Sequence, residues 1–566
     1  MEQDPRVSGA TPRGVRWAAP ALLALWAALF LGLAFRSAGE FGFPLDDAWI
    51  HARMARNLAE GFGLTFNPGE EGATSSAPLW SALLSLPVRA RIPFPWAAYL
   101  PGLAATLALA WTGRGWLARA TGDGQAATTA AILLVSTHPF PWAAVSGMEP
   151  SLAAALVLAL LALSPSRGSV PRLLLAVAAA LTRPELVLLP AVVLLDYLLK
   201  ARPLRARVAA VVAVAAAAAS FLPLLCNRAL GGSWLAASFA AKVGHHGILA
   251  ALAGGRTDQI APILGSNLPS DLPRFLRAIA SDNLALLLLA PFGLVRLARG
   301  ADGTHAPWLL LVLQPCAMAV LAPFGGLDFH EQRYMAPLVA TVVASGCAGL
   351  VGVTGGPSSA LLRRGAALAL LAISGVGTIR AAGRYGLEVR NITQMQVTVG
   401  RRLAARPERL KLVATNDIGA IGFITRAPIL DLTGLATPGI LPYLNRPAPP
   451  GRRNLGWNGA NEMALLEYLE ARRPDYVAIF PNWYPTIVLR AALGEPIDRI
   501  DLSDNLICGG RTMLVYRPVW EGATPSGAPA GRRARTERDA SLACRRAPAS
   551  NVRARRKAGA MSAAAL

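Results

Sequence analysis

The chain has 566 residues, of which 54% are hydrophobic and only 16% charged, with a positive mean hydropathy. That balance excludes an ordinary soluble globular protein, and apolar runs of spanning length through the first two thirds predict a polytopic α-helical membrane protein. The runs are continuous rather than alternating, which excludes a β-barrel, and five scattered cysteines with no CxxC exclude a metal cluster or disulfide framework.

In chain order, a basic N-terminus (Arg6, Arg13, Arg16) leads into a first span over 17–35, longer than a signal h-region and therefore read as retained. Further spans are expected near 96–117, 126–143, 151–164, 170–182, 185–199, 208–226, 283–298, 307–324, 334–353 and 363–379, about eleven in all. A short apolar helix around 78–88 is expected to lie in the interface. With the N-terminus in the cytoplasm, loops 114–125, 165–172, 200–207, 296–306 and 354–364 are cytoplasmic, and every one of them is basic. Arg172 is counted among those loop charges. Acids and aromatics fall in the opposite loops, 36–95, 144–150, 183–184, 227–282 and 325–333. The expected location is a bacterial inner membrane, with the active site and C-terminal domain extracytoplasmic.

After residue 380 the pattern changes. "KLVATNDIGAIGFI" (411–424), "PILDLTGLA" (428–436), "PDYVAIFPNW" (474–483) and "MLVYRP" (513–518) read as strands, with helical patterns over 390–405 and 461–472. The organisation expected is a transmembrane domain over 1–384, a soluble α/β domain over 385–520 and a disordered basic tail over 521–566. Within the tail, residues 531–557 hold ten Arg/Lys against two acids, with no apolar periodicity. Nothing folded or aromatic accompanies that charge, so nucleic acid is not expected as a partner.

The chemistry-bearing residues concentrate on the outer side. In "FGFPLDDAWIHARMARNLAEGFGLTFNPGE" (41–70), Pro44 blocks helix continuation, and Ile50, Met54 and Leu58 recur at helical spacing up to Gly61. Asp46 and Asp47 therefore start an amphipathic interfacial helix that also carries His51. One Asp could serve only as N-cap, but two adjacent acids bordering lipid repel one another. Glu149 lies in "VSGMEP", Arg183 and Glu185 in "LTRPEL", Lys242 in "SFAAKVGHH", and Asp328, His330, Glu331, Arg333 and Tyr334 in "GGLDFHEQRYMAPL". Ionisable residues at membrane depth are costly and are usually functional. Arg183–Glu185 reads equally as a structural ion pair, and Lys242 equally as a snorkelling side chain. A carboxylate can take a proton from a hydroxyl nucleophile, while Arg, Lys and His can hold a phosphate leaving group. That combination suits glycosyl transfer from a lipid-phosphate sugar.

At these residues the sequence resembles a known family. "DDAWIHARMARNLAEGFGLTFNPGEEGATSSAPLW" (46–80) resembles the first outer loop of bacterial GT-C fold glycosyltransferases, in particular the group related to terminal arabinofuranosyltransferases. "SGME" (146–149), "LTRPE" (181–185), "VRNITQMQ" (389–396), "ATNDIGAIGF" (414–423) and "ILDLTGL" (429–435) resemble further segments of that group, in collinear order. "GGLDFHEQRY" follows instead the His–x–x–Arg–Tyr pattern of other GT-C members.

The resemblance implies a GT-C transmembrane domain and a polyprenyl-phosphate sugar donor. It also implies an extracytoplasmic glycan, lipid or protein acceptor, and inverting transfer in cell-envelope glycan synthesis. By it, Asp46 or Asp47 is the catalytic base, with the lean towards Asp46; the other orients the acceptor or helps to bind a divalent cation. His51, Glu149, Arg183, Glu185, Lys242, Asp328, His330, Arg333 and Tyr334 are candidates for holding donor phosphate and sugar. "NDIGAIGF" contains no GxGxxG, which speaks against a nucleotide site there. The alternatives are a membrane transporter, for which no internal repeat is visible, and a non-catalytic envelope assembly protein, which would not need the Asp pair.

Overall fold

The computed structural model describes residues 17–70, 75–165, 169–200, 205–231, 234–235, 241, 248–253, 255, 257–300, 303–321, 329–354, 360–447 and 460–520. It divides into a compact unit over Met1–Pro518 and a second unit from Val519 onwards, of which only Val519 and Trp520 are described. The expected tail, 521–566, lies outside the described residues.

Helices form where the apolar runs stand. The bundle comprises α1 (Ala18–Ala38), α2 (Asp46–Ala59), α3 (Pro78–Arg89), α4 (Trp96–Thr121), α5 (Gly124–Ser136), α6 (Phe140–Val145), α7 (Pro150–Ala162) and α8 (Val170–Thr182). It continues with α9 (Leu189–Lys200), α10 (Ala206–Gly231), α11 (Ile248–Ala253), α12 (Ile260–Arg299), α13 (Ala306–Leu321), α14 (Ala336–Val353) and α15 (Ala360–Ile392). Among the described residues, four helices are long and apolar enough to cross a membrane singly: α1, α10, α14 and the run Leu361–Ala404. The two arms of α12 qualify together as a fifth, and α5, α7, α8 and part of α13 are shorter apolar helices.

Three local differences from the sequence reading have physical causes. The run expected as one span over 126–143 is split, because Pro139 follows Thr137 and His138 and a proline cannot continue the N–H ladder. The expected start of a span at 283 is a kink inside α12. There Asn283 leaves helical geometry, and its amide satisfies Leu370 O at 3.2 Å and Ser374 Oγ at 3.1 Å. Arg172 is fully buried rather than a loop charge. Its Nη2 lies 2.6 Å from Asp196 Oδ2, and Asp196 also accepts from Thr304 Oγ1 (2.8 Å) and the His305 N–H (2.6 Å). A buried carboxylate needs this full set of partners.

Small residues set the tightest crossing. A Cβ on Gly293 of α12 would stand 1.7 Å from Ser345 O, and one on Gly349 of α14 would stand 2.0 Å from Leu289 O. Only glycine lets the two backbones approach this closely.

Helix α15 does not end at the expected domain boundary. It passes through a π turn over Thr393–Val397 into α16 (Thr398–Ala404) and so into a five-stranded sheet. The strands are β1 (Val413–Thr415), β2 (Ile429–Asp431), β3 (Tyr476–Ile479), β4 (Asp498–Asp501) and β5 (Thr512–Tyr516), in the order β2-β1-β3-β5-β4. β1 runs parallel to β2 and β3, whereas β5 is antiparallel to β3 and β4. Helix α17 (Gly419–Thr425) links β1 to β2, and α18 (Glu462–Arg472) precedes β3. The stretch 411–424, read as one strand, is thus a short strand and a helix. β4, "DRID", is an edge strand whose charges hide it from a hydrophobic pattern.

Candidate functional site

Asp46 and Asp47 open α2 and turn to different partners. The Asp46 carboxylate accepts the backbone N–H groups of Gly419 (2.6 Å) and Ala420 (2.8 Å), the first two residues of α17. The N-cap residue of α17 is Ile418, which has no side-chain acceptor, so its orphan donors are satisfied from α2. The approach is close: a Cβ at Gly419 would lie 2.0 Å from Asp46 O. Burial and neighbouring Asp417 push the Asp46 carboxyl up, against the two N–H bonds that favour its ionised form. Burial likewise lifts Asp417 to about 6, opposed by the 2.6 Å bond from Gln396 Nε2 and reinforced by Asp47.

Asp47 remains 31% exposed, and its Oδ2 lies 2.7 Å from Nη1 of the buried Arg333. From Arg333 the charge network continues inwards. The Arg333 and Arg183 guanidinium carbons lie 5.2 and 4.4 Å from the Tyr334 ring centroid. Arg183 Nη1 contacts Glu149 Oε1 at 2.6 Å, and its Nε meets Glu185. Glu149 Oε2 stands 3.7 Å from His51 Nε2, while His51 Nδ1 is 3.0 Å from Ser81 Oγ. Burial draws the His51 imidazole below its usual value, against the pull of Glu149 and Asp47. For Arg333, burial alone would lower the pKa, but Tyr334, Asp47 and Glu149 raise it above the ordinary value.

Seven sequence candidates therefore join in one network: Asp47, His51, Glu149, Arg183, Glu185, Arg333 and Tyr334. Asp46 lies beside it, turned towards α17. His330 stands just upstream of Arg333, and Lys242 and Asp328 fall outside the described residues.

The segment carrying Arg333 has an unusual backbone. His330, Glu331 and Gln332 all have positive φ, at 47°, 58° and 58°. Such residues cost about 1–2 kcal/mol each, so tertiary contacts must hold them. Glu331 provides one anchor through His138 Nε2 at 3.2 Å and through Arg384; the Arg333–Asp47 contact provides another.

Several contributors escaped the sequence reading. Asn67, in the "FNPGE" turn, donates to Ile429 O (2.7 Å) and accepts from the Ile429 N–H (3.0 Å), pairing with the outer edge of β2. Arg53 reinforces this latch with bonds to Phe66 O (2.7 Å), Asn67 Oδ1 (3.1 Å) and Ala427 O (2.8 Å). Asp417 fell inside the run 411–424 read as a single strand, which gave it no distinct role. The contacts of Arg53 and Asn67 with Ala427 and Ile429 have no local signature, because those partners lie in the C-terminal sheet region.

A divalent cation does not fit what the described residues present. Asp47 is paired with Arg333, and among the described residues no three His, Cys, Asp or Glu side chains converge as ligands.

With this geometry in view, comparison with known proteins is informative about the fold. The structure of ArnT from Cupriavidus metallidurans bound to undecaprenyl phosphate aligns with a TM-score of 0.52 at 13% identity, covering 91% of this chain and 100% of that one. The apo form of the same protein aligns at 0.49 and 15% identity, covering 90% and 100%. The apo oligosaccharyltransferase of Archaeoglobus fulgidus aligns at 0.45 and 13%, covering 83% of this chain and 70% of that one. A family model described as a domain of unknown function (DUF8728) matches residues 388–524. No curated protein matches the sequence. The chain has the GT-C fold: a multi-helix membrane bundle followed by a small C-terminal sheet.

Proposed function

We propose that this chain is a membrane glycosyltransferase that moves a sugar from a polyprenyl-phosphate donor to an acceptor hydroxyl outside the cytoplasm, with inversion at the anomeric carbon. The observation that carries the reading is the division of labour between two adjacent acids. Asp46 is occupied by the N-terminus of α17, whereas Asp47 is partly exposed and stands against Arg333 at the edge of a cationic network. The base is therefore assigned to Asp47, in place of the leaning towards Asp46 drawn from sequence.

The step balances with these residues alone. Asp47 takes the proton of the acceptor hydroxyl, and the acceptor oxygen attacks the anomeric carbon from the face opposite the phosphate. The bond between that carbon and the phosphate oxygen breaks, and its electron pair stays on the phosphate. Arg333, with Arg183 behind it, stabilises the developing charge as a planar fork suited to phosphate. When the phosphate engages Arg333, the guanidinium is drawn from Asp47, which strengthens the carboxylate as a base. Glu149 and Glu185 hold Arg183 in place. The named ArnT structure contains undecaprenyl phosphate, which agrees with a lipid-phosphate donor here.

The test is transfer by the full chain, purified and returned to lipid, with radiolabelled polyprenyl-phosphate pentoses and hexoses and a membrane extract as acceptor. Label should move from one donor with wild type and not with Asp47→Asn. Absence of both transfer and binding for every donor, with extract acceptors present in excess, would refute the assignment.

A further inference from the structure

A second site of different chemistry lies at the opposite end of the bundle. Helix α14 begins beside Arg333 and ends at Val353, and its 18 residues span roughly 27 Å at 1.5 Å per residue. At that far end is an open groove of about 670 Å³, lined by Ala120 of α4, Gly352 of α14, and Pro291, Phe292, Val295, Arg296, Arg299 and Gly300 at the end of α12. It opens just beyond the Gly293–Gly349 crossing, where α12 and α14 diverge.

The lining holds two arginines and no acid. Arg296 is fixed by a 3.2 Å bond from its Nη2 to Thr121 O, which leaves the rest of its guanidinium for another partner. Arg299 is exposed and has no partner among the described residues. Asp123, at the start of the adjoining α5, is already engaged by Arg363 at 3.5 Å and by the N–H groups of Gln125 and Ala126. Among the described residues, the positive charge at the groove is thus uncompensated.

An apolar stripe leads away from these arginines. Leu288, Phe292 and Val295 recur at helical spacing on one face of α12 and are 62%, 58% and 48% exposed. The stripe runs from the groove towards the middle of the bundle. A free anion would use the arginines and ignore the stripe; a molecule with a charged head and a hydrocarbon chain matches both. The geometry points to a binding site for one anionic glycerophospholipid, its phosphate between Arg296 and Arg299 and an acyl chain along Leu288, Phe292 and Val295. The site lies on the rim that the charge pattern assigns to the cytoplasmic leaflet. It is separate from the donor site and does not depend on the reaction assigned there.

Native mass spectrometry of the full chain in detergent, titrated with phosphatidylglycerol or phosphatidylcholine, tests this. Wild type should retain one phosphatidylglycerol in preference to phosphatidylcholine. Arg299→Gln, which disturbs no internal contact, should weaken retention about fivefold, and adding Arg296→Gln should weaken it about fivefold again. Gly352→Leu offers a charge-neutral check: a Cβ there meets nothing within 4 Å, so the larger side chain should fill the groove and displace the lipid. Arg364→Gln, an exposed charge outside the lining, should have no effect. Equal retention of the two lipids, or an equal loss with Arg364→Gln, would overturn the site. So would displacement of phosphatidylglycerol by inorganic phosphate or undecaprenyl phosphate at matching concentration, or full retention in both Arg299→Gln and Gly352→Leu.

Discussion

Asp47 and Arg333 meet at 2.7 Å with unequal exposure, 31% against 4%. The carboxylate can reach solvent while the guanidinium is held from behind. Burying one member of an ion pair fixes its position, and leaving the other at the rim lets an incoming group compete for it. Removing either partner would expose a different weakness, which makes the pair accessible to experiment.

Asp47→Asn should lower kcat by about 10²–10⁴, the usual contribution of a positioned general base. Asp46→Asn should retain most of the activity, because asparagine is nearly as good an acceptor for helix N–H groups. Asp46→Ala should reduce stability by about 1 kcal/mol through loss of the α17 cap. Transfer assays paired with thermal unfolding in detergent separate these outcomes; an inactive but stable Asp46→Asn enzyme would reverse the assignment.

Arg333→Lys should keep a measurable rate, since it preserves a charge but not the planar fork. Arg333→Met should cost about 10²–10³ in rate if it stabilises the leaving phosphate. Rates for each variant at saturating donor decide the matter, and equal rates for Lys, Met and wild type would remove Arg333 from the reaction.

Asn67→Ala should destabilise the protein by about 1–3 kcal/mol, because it strands the Ile429 N–H and Ile429 O and removes one of the bonds that hold Arg53. The first outer loop should then be cleaved faster by protease around residues 60–70. Asn67→Asp keeps the acceptor and should fall between the two. An unchanged cleavage rate would mean that the latch to β2 contributes little.

Asp417 gives stability a pH dependence. Its folded value of about 6 exceeds the ordinary 3.8, so between those values the folded state binds more protons than the unfolded chain. Stability from this group therefore falls as pH rises through that interval and stays reduced above about 6. Asp417→Asn, which can still accept from Gln396, should raise the unfolding temperature at pH 7 and flatten the trend between pH 4 and 6. A variant less stable than wild type at pH 7 would contradict this.

The positions of the helices could be read from sequence because lipid imposes a local rule: each spanning segment must satisfy its own backbone and present apolar side chains throughout. That rule placed α1, α4, α7, α8, α10, α13 and α14 to within about five residues, whereas α15 begins near its expected start and runs on to Ile392, well past the expected end at 379. It failed at His138–Pro139, where a break interrupts an apolar run, and at Arg172, whose counter-charge Asp196 stands on another helix. In the sheet, β1, β2, β3 and β5 carried the apolar β-branched pattern of buried strands, whereas the charged edge strand β4 did not.

By itself the sequence determined the membrane class, the run of helices and which residue types crowd one face, because periodicity and composition act over neighbouring positions. It could not distinguish Asp46 from Asp47, which are chemically identical and adjacent. Only the tertiary structure separates their surroundings, since successive residues at a helix start point in different directions. One carboxylate meets the bare N–H groups of α17 and the other meets Arg333. Both partners are brought there by packing between segments hundreds of residues distant, where no local pattern can record the meeting.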